Sequence, residues 1–333
     1  MKSEPFVSRK RLEFLAFLAL LVCSAGVLSN ETQPIVTAER SSIVDDDLWQ
    51  QLETDSSVPV IVEFGVPGRR FAAHRGMRRD KLRRMLRERR TVIAQRREAV
   101  LGALADRLGH AVNALRYRNI PFFAMKADSQ ALQRLIGMRE VVRVYEDRTH
   151  TPSLGNSVPL IGAARAQIGG YDGLGTSIAI LDTGVRTSHE FLRDSVVDNP
   201  AAQACFSGTS VSGGAGTTVH SFCQDGRASA LLPCVVNGND VPRSACGPGA
   251  ADPCTTDALC WHGTHVAGIA LGYRNQSLSG VAPGAKLIPI QVFVDHSQYG
   301  LVAYDSDIIS AMEYLLELSL DHGEDIAAAQ STC

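Results

Sequence analysis

Aromatic side chains are scarce in this sequence: they make up 6% of 333 residues, with only 2 Trp. An excess of one charge is also missing, since 33 Lys and Arg meet 35 Asp and Glu for a net of −2. That balance leaves a nucleic-acid role for the whole chain without support, because such binding rests on a basic surface. Gly and Pro are modest, at 29 and 14 residues, and hydrophobic residues reach 45%. This composition excludes a disordered polymer, a coiled-coil rod and a collagen-like repeat. The length suffices for one large or two moderate cores.

The near-zero charge hides an asymmetry. Residues 1–150 carry 26 basic and 18 acidic side chains, whereas residues 151–333 carry 7 and 17. The halves should therefore attract each other, as two domains of complementary charge.

The N-terminus reads as an address. Lys2, Arg9, Lys10 and Arg11 form a basic leader, and Phe14–Leu28 carries no charge. The small residues Cys23, Ser24, Ala25 and Gly26 fall near its end. That order predicts a secretory signal over 1–28, and the apolar run is shorter than the roughly 18–20 residues of a comfortable membrane span. An uncleaved anchor is the alternative. The expected location is secreted or periplasmic, with no membrane association after signal cleavage.

Cysteine usage agrees with an oxidising compartment. Of 8 cysteines, Cys205, Cys223, Cys234, Cys246, Cys254 and Cys260 cluster in a Gly/Ser/Pro-rich stretch. An even number there reads as a disulfide-stapled insertion over 186–260. Six cysteines allow 15 connectivities, and the sequence chooses none of them. Cys333 is left over at the last position.

Residues 29–57 are polar and acidic and read as a loose linker. From 58 to 149 the apolar pattern predicts, in order, a buried strand, a long Arg-rich helix, two paired strands, a short helix capped by Asp128, and a last strand. This β-α-β-β-α-β order is that of a ferredoxin-like α+β sandwich. The Arg-rich helix reads either as a solvated face or as a docking face. Residues 147–157 are turn-rich, a natural boundary. From 154 onward, strands and helices alternate, which argues for an α/β parallel sheet with helices on its faces. In such sheets chemistry sits at the carboxyl ends of strands.

Asp182 stands at such an end, after Ser177-Ile-Ala-Ile-Leu181 and before Thr183-Gly184. A half-buried carboxylate needs a partner. Asp-Thr-Gly also occurs in aspartic proteases, but those need two copies and this chain has one. The second motif is Trp261-His262-Gly263-Thr264-His265-Val266-Ala267-Gly268. A His opening a helix of small residues can pack close to a sheet and reach a strand-end carboxylate.

Together these two boxes resemble the subtilisin-like serine proteases, as does Gly280-Val-Ala-Pro-Gly-Ala-Lys-Leu287. Asp182-Thr-Gly-Val-Arg-Thr-Ser-His189 is similar to the proteinase K branch, although one residue is missing after His189. The resemblance implies a subtilisin-like catalytic domain over 154–333 and an inhibitory, folding-assisting prodomain over 58–149. It implies that Asp182 orients the imidazole and that His262 acts as general base and then general acid. It implies protein or peptide substrates, the prodomain as an intramolecular inhibitor, and no required cofactor. Calcium is a common stabiliser in the family, but no loop here matches well enough to name ligands.

The sequence departs from the family pattern at its third member. The expected nucleophile lies in a Gly-Thr-Ser box on the C-terminal side of the His. The two such runs here, Gly175-Thr176-Ser177 and Gly208-Thr209-Ser210, both precede His262. No nucleophile is assigned, the catalytic sheet is expected to be incomplete, and the chain by itself is expected to be inactive. The unpaired Cys333 points to an artificial end. A catalytically dead fragment or a prodomain-type inhibitor is the alternative reading. A zinc site at Cys254, Cys260, His262 and His265 is a third, on ligand spacing alone. Because export favours disulfides and the family motif accounts for both histidines, no metal ligand is assigned.

Overall fold

The computed structural model describes residues 43–67, 78–151, 163–208, 218–223, 234–236, 239–240, 244–275, 278–321 and 323–331. The expected signal over 1–28, the residues from 152 to 162 and Cys333 lie outside them.

The apolar residues at Val44, Leu48, Trp49 and Leu52 recur at helical spacing, and Asp46–Thr54 forms helix α1. Val44 and Leu48 are buried in the first core, and Val44 bridges to Val144. The linker expected over 29–57 is thus ordered from residue 43, because an apolar stripe lies within its acidic background. Strand β1 (Val58–Phe64), helix α2 (Arg79–Leu108), β2 (Ala114–Arg116), β3 (Phe122–Ala127), helix α3 (Ser129–Ile136) and β4 (Val141–Glu146) follow. The antiparallel sheet has the order β2-β3-β1-β4, which is the ferredoxin-like arrangement. Gly109, at φ +76°, ends α2 in the left-handed region, where its N–H reaches Ala105 O. Asp128 caps α3, with Oδ1 accepting from Ala131 N at 2.7 Å. Val60, Val62, Phe64, Ile93, Leu104, Phe123, Leu132 and Val144 fill the core between sheet and helices.

Strand β5 (Thr149–His150) and helix α4 (Ala163–Ile168) lead into the second half. The main sheet there is built from β6 (Ser177–Asp182), β7 (Ala204–Phe206), β11 (Ser244–Cys246), β14 (Lys286–Gln291) and β17 (Ile326–Ser331). Their order is β11-β7-β14-β6-β17. β7, β14, β6 and β17 run parallel, and β11 closes one side antiparallel to β7. Alternation of side chains sends Ile180 and Leu287 to helix α5 (His262–Leu271) on one face. It sends Ala179, Leu181, Ile288 and Ile290 toward helix α6 (Asp305–Asp321) on the other. Both faces of the central strands are covered, as their unbroken apolar runs require.

The segment over 186–260 is not simply an insertion. Its residues Ala204 and Cys205 pair with Ile290 and Gln291, so β7 is part of the main sheet. Short strands β8 (Val219–Ser221), β9 (Val235–Val236) and β10 (Asn239–Asp240) complete the segment. β8 joins β15 (Phe293–His296), β16 (Gly300–Tyr304) and β5 in a second antiparallel sheet, of order β5-β16-β15-β8. Strands β12 (Tyr273–Asn275) and β13 (Leu278–Ser279) form a hairpin after α5. Among the described residues the disulfides are Cys205–Cys223, Cys234–Cys246 and Cys254–Cys260, each joining cysteines adjacent in order.

The two halves meet along α6. Glu313 accepts from the backbone N–H groups of Arg118 and Asn119 at 2.6–2.9 Å. Arg90 pairs with Glu317 at 2.7 Å, both side chains nearly buried. Leu82 and Leu86 of α2 pack on Leu316 and Leu320, and Arg83 donates to the Leu320 carbonyl. The Arg-rich helix is therefore a docking face along this side.

Candidate active site

The apolar strand β6 ends at Asp182, and the next residues turn sharply. Gly184 adopts φ +91°, and a Cβ there would meet Asp252 O at 2.3 Å, so only glycine fits. His262 opens α5, whose next residue is Gly263. A Cβ on Gly263 would meet Gly184 O at 2.3 Å. The absence of that atom lets the helix start lie directly against the strand end.

This close approach joins the two predicted residues. His262 Nδ1 lies 2.7 Å from Asp182 Oδ1. A ring N–H donating to a carboxylate at that distance is a charge-assisted hydrogen bond, which fixes the tautomer and presents the other nitrogen for proton transfer. Both side chains are 1% exposed. The pair thus lies beneath the surface rather than open at the rim of the sheet. Asp182 Oδ1 also accepts from Thr183 N at 2.7 Å, while Oδ2 has no hydrogen-bond partner among the described residues.

Two residues that the sequence reading missed support the pair. Thr183 Oγ1 accepts from Gly263 N at 3.0 Å. Gln291, opposite Asp182 in the β14–β6 register, donates from Nε2 to Thr183 O at 2.7 Å and accepts from Phe293 N at 2.8 Å. Gln291 is fully buried. A lone amide inside the apolar run Leu287-Ile-Pro-Ile-Gln-Val-Phe293 was the available signal.

The other singled-out residues are elsewhere. His265 is exposed and packs edge-on against Trp261, with ring centroids 5.5 Å apart. Ser177 begins β6, at the opposite end from Asp182, about 16 Å away at ordinary strand rise. Thr209 and Ser210 lie outside the described residues. Cys254 and Cys260 are joined to each other, which removes both thiolates as zinc ligands. A cleft of about 800 Å³ runs along the outer face of α5, lined by Arg186, His189, Phe191, Trp261 and His265 among others, and reaches neither Asp182 nor His262.

At the seam between the halves, burial pushes the Asp147 carboxyl up to about 7, with the charges of Asp305 and Asp307 adding to it and hydrogen bonds from Ser306 opposing. The Asp305 carboxylate, 2.8 Å from His150 Nε2, raises the pKa of that imidazole. Burial likewise raises the Glu313 carboxyl.

Residues 173–328 match the sequence model of the subtilase family. The match covers 156 of the 333 residues. Both halves of the buried pair, Asp182 and His262, fall within it. Over 187 residues the chain is 26% identical to the minor extracellular protease Vpr of Bacillus subtilis (strain 168), covering 51% of this chain and 18% of that protein. Among solved structures, the epidermin leader peptide processing serine protease EpiP of Staphylococcus aureus aligns with a TM-score of 0.36 at 15% identity, over 71% of this chain and 43% of that one. Fervidolysin of Fervidobacterium pennivorans, a keratinolytic enzyme related to subtilisin, aligns with a TM-score of 0.34 at 14% identity, over 72% of this chain and 30% of that one. The chain thus spans less than half the length of each of these relatives.

Proposed function

We propose that this chain is part of a secreted subtilisin-like serine endopeptidase zymogen. The observation that carries the reading is the buried Asp182–His262 contact at 2.7 Å within the subtilase segment. Asp182 holds the imidazole in one tautomer and stabilises its charged form. His262 takes the proton from a seryl hydroxyl and returns it to the leaving amine, so that hydrolysis passes through an acyl-enzyme. The seryl nucleophile is not among these 333 residues. In subtilisin itself, losing the nucleophile costs on the order of 10⁶ in turnover, so the chain alone is inactive. The extracellular location of the named relative, the signal-like N-terminus and the three disulfides support export.

The ferredoxin-like unit, over 58–149, acts as the inhibitory prodomain in this reading. Its basic helix α2 meets the acidic α6 through Arg90–Glu317. Directly after its last strand, β5 pairs antiparallel with β16, His150 opposite Ala303. The chain is therefore laid along the second half as an extended segment at 149–150, inside the turn-rich boundary over 147–157 where cleavage releases the prodomain.

The test compares this chain with the complete product of its gene, both purified and incubated with a denatured protein substrate. The complete product should cleave, the 333-residue chain should not, and His262→Ala should abolish cleavage by the complete product. Undiminished cleavage by that variant would sink the reading.

A further inference from the structure

The loop closed by Cys254–Cys260 lies just before His262 in sequence and grips the residue after Asp182 in space. The bond spans a separation of only 6 residues and holds the two Cα atoms 5.0 Å apart. At one end of the loop, Cys254 N donates to Thr183 O at 3.2 Å. At the other end, Thr183 Oγ1 donates toward Cys260 O at 3.3 Å and Leu259 O at 3.4 Å. The same hydroxyl accepts from Gly263 N, the residue after His262. Thr183 is therefore clasped from both ends by one short covalent ring, while Thr183 itself follows Asp182 in the chain and its partner Gly263 follows His262.

These loop contacts are long hydrogen bonds, of a kind that does not fix a loop by itself. The disulfide makes their geometry cooperative: with the ring closed, Cys254 and Cys260 cannot move apart, and Thr183 stays between them. The 2.7 Å contact of His262 with Asp182 is much less tolerant, since a hydrogen bond is lost within about 1 Å of displacement. Among the described residues, neither of the other two disulfides is hydrogen-bonded to Thr183 or Gly263; Cys205–Cys223 supports β7 and Cys234–Cys246 spans the β9–β10 segment.

We propose that the Cys254–Cys260 disulfide, acting through Thr183, is a positioning device for the Asp182–His262 pair: without it, the sheet persists but the imidazole no longer stays on the carboxylate. The proposal rests on the reading of that pair as the acid and base of the proposed protease. Its test does not depend on proteolysis.

The readout is the far-downfield Nδ1 proton of His262 in the uniformly ¹⁵N-labelled 333-residue chain, assigned by its disappearance in His262→Gln. The expected result is a signal in the parent chain and in a Cys234→Ser/Cys246→Ser control, and its loss in Cys254→Ser/Cys260→Ser while the β6 and β14 amide signals remain. Thr183→Val should lose the signal and Thr183→Ser should keep it. A folded Cys254→Ser/Cys260→Ser chain that retains the signal overturns the proposal. Should that double variant not fold, a signal retained in Thr183→Val overturns it equally, and no signal in the parent chain overturns it as well. If the signals behave as expected and the complete gene product still hydrolyses no peptide, the protease reading fails while the positioning role stands.

Discussion

Gly263 presses so closely on Asp182 that a methyl group at its Cα would lie 2.9 Å from the aspartate Cβ and 3.0 Å from Oδ1. The helix start and the strand end are thus in backbone contact, and the His262–Asp182 bond follows from that approach. Gly263→Ala must push α5 away from β6. The expected cost is about 1–3 kcal/mol of stability from overpacking, with loss of peptidase activity in the complete protein. Urea denaturation and a peptide-cleavage assay check both, and an alanine variant with parental stability and activity refutes the contact.

Glu313 makes one carboxylate serve two backbone N–H groups across the seam, those of Arg118 and Asn119. Glu313→Ala removes that acceptor in a buried place. The expected loss is about 2–4 kcal/mol, the cost of stranding buried donors. Chemical denaturation of the 333-residue chain measures it, and a loss below about 0.5 kcal/mol, the level of an ordinary surface change, would contradict the buried seam.

The seam should also respond to pH. Asp147 is held at about 7 against an ordinary 3.8, so the docked state retains a proton that the freed carboxyl gives up. Its favourable contribution is complete below about pH 4 and is lost as pH rises toward 7. His150 is raised by Asp305, so its contribution is complete below its ordinary 6.5 and is lost as pH rises past its elevated value. Both signs agree: docking weakens from acid toward neutral pH, by up to about a decade in equilibrium constant per pH unit for each proton. Hydrogen exchange of the α6 amides at pH 4.5 and 7.5 reads this out. Asp147→Asn should flatten the dependence, and an unchanged slope in that variant would count against the assignment.

Cys205–Cys223 closes a separation of 18 residues beside β7, whose residues pair with the central strand β14. Replacing both cysteines by Ser should cost about 3 kcal/mol, chiefly by freeing the unfolded chain. The melting temperature should drop while the His262 proton signal survives at low temperature. Loss of that signal in a still-folded variant would show that the pair depends on this bridge too.

Much of the architecture was readable because the relevant signals are local. Apolar runs and helical spacing place β1, α2, β3, β6, β14 and α6 close to where they occur. The β-α-β-β-α-β order of the first half needed only those patterns and the cap residue Asp128. What escaped were elements whose apolar content is diluted. α1 hides Leu48, Trp49 and Leu52 among acidic residues, and the three-residue β7 lies inside a Cys-rich stretch whose composition reads as loop. The pairing of the cysteines was equally out of reach, since spacing alone does not rank connectivities.

The candidate site divides along the same line. Residue order by itself determined that Asp182 ends a buried strand and that His262 opens a helix of small residues, because strand and helix endings are set by neighbours within a few positions. Only the tertiary structure decided that the two share a hydrogen bond across a separation of 80 residues, that Thr183 and Gln291 brace them, and that one side of an arginine-rich helix docks on α6. Those outcomes depend on the register of β6 against β14, on two backbones meeting where Gly184 and Gly263 carry no side chain, and on burial that cancels the solvation of charges, none of which is a property of any short stretch of chain.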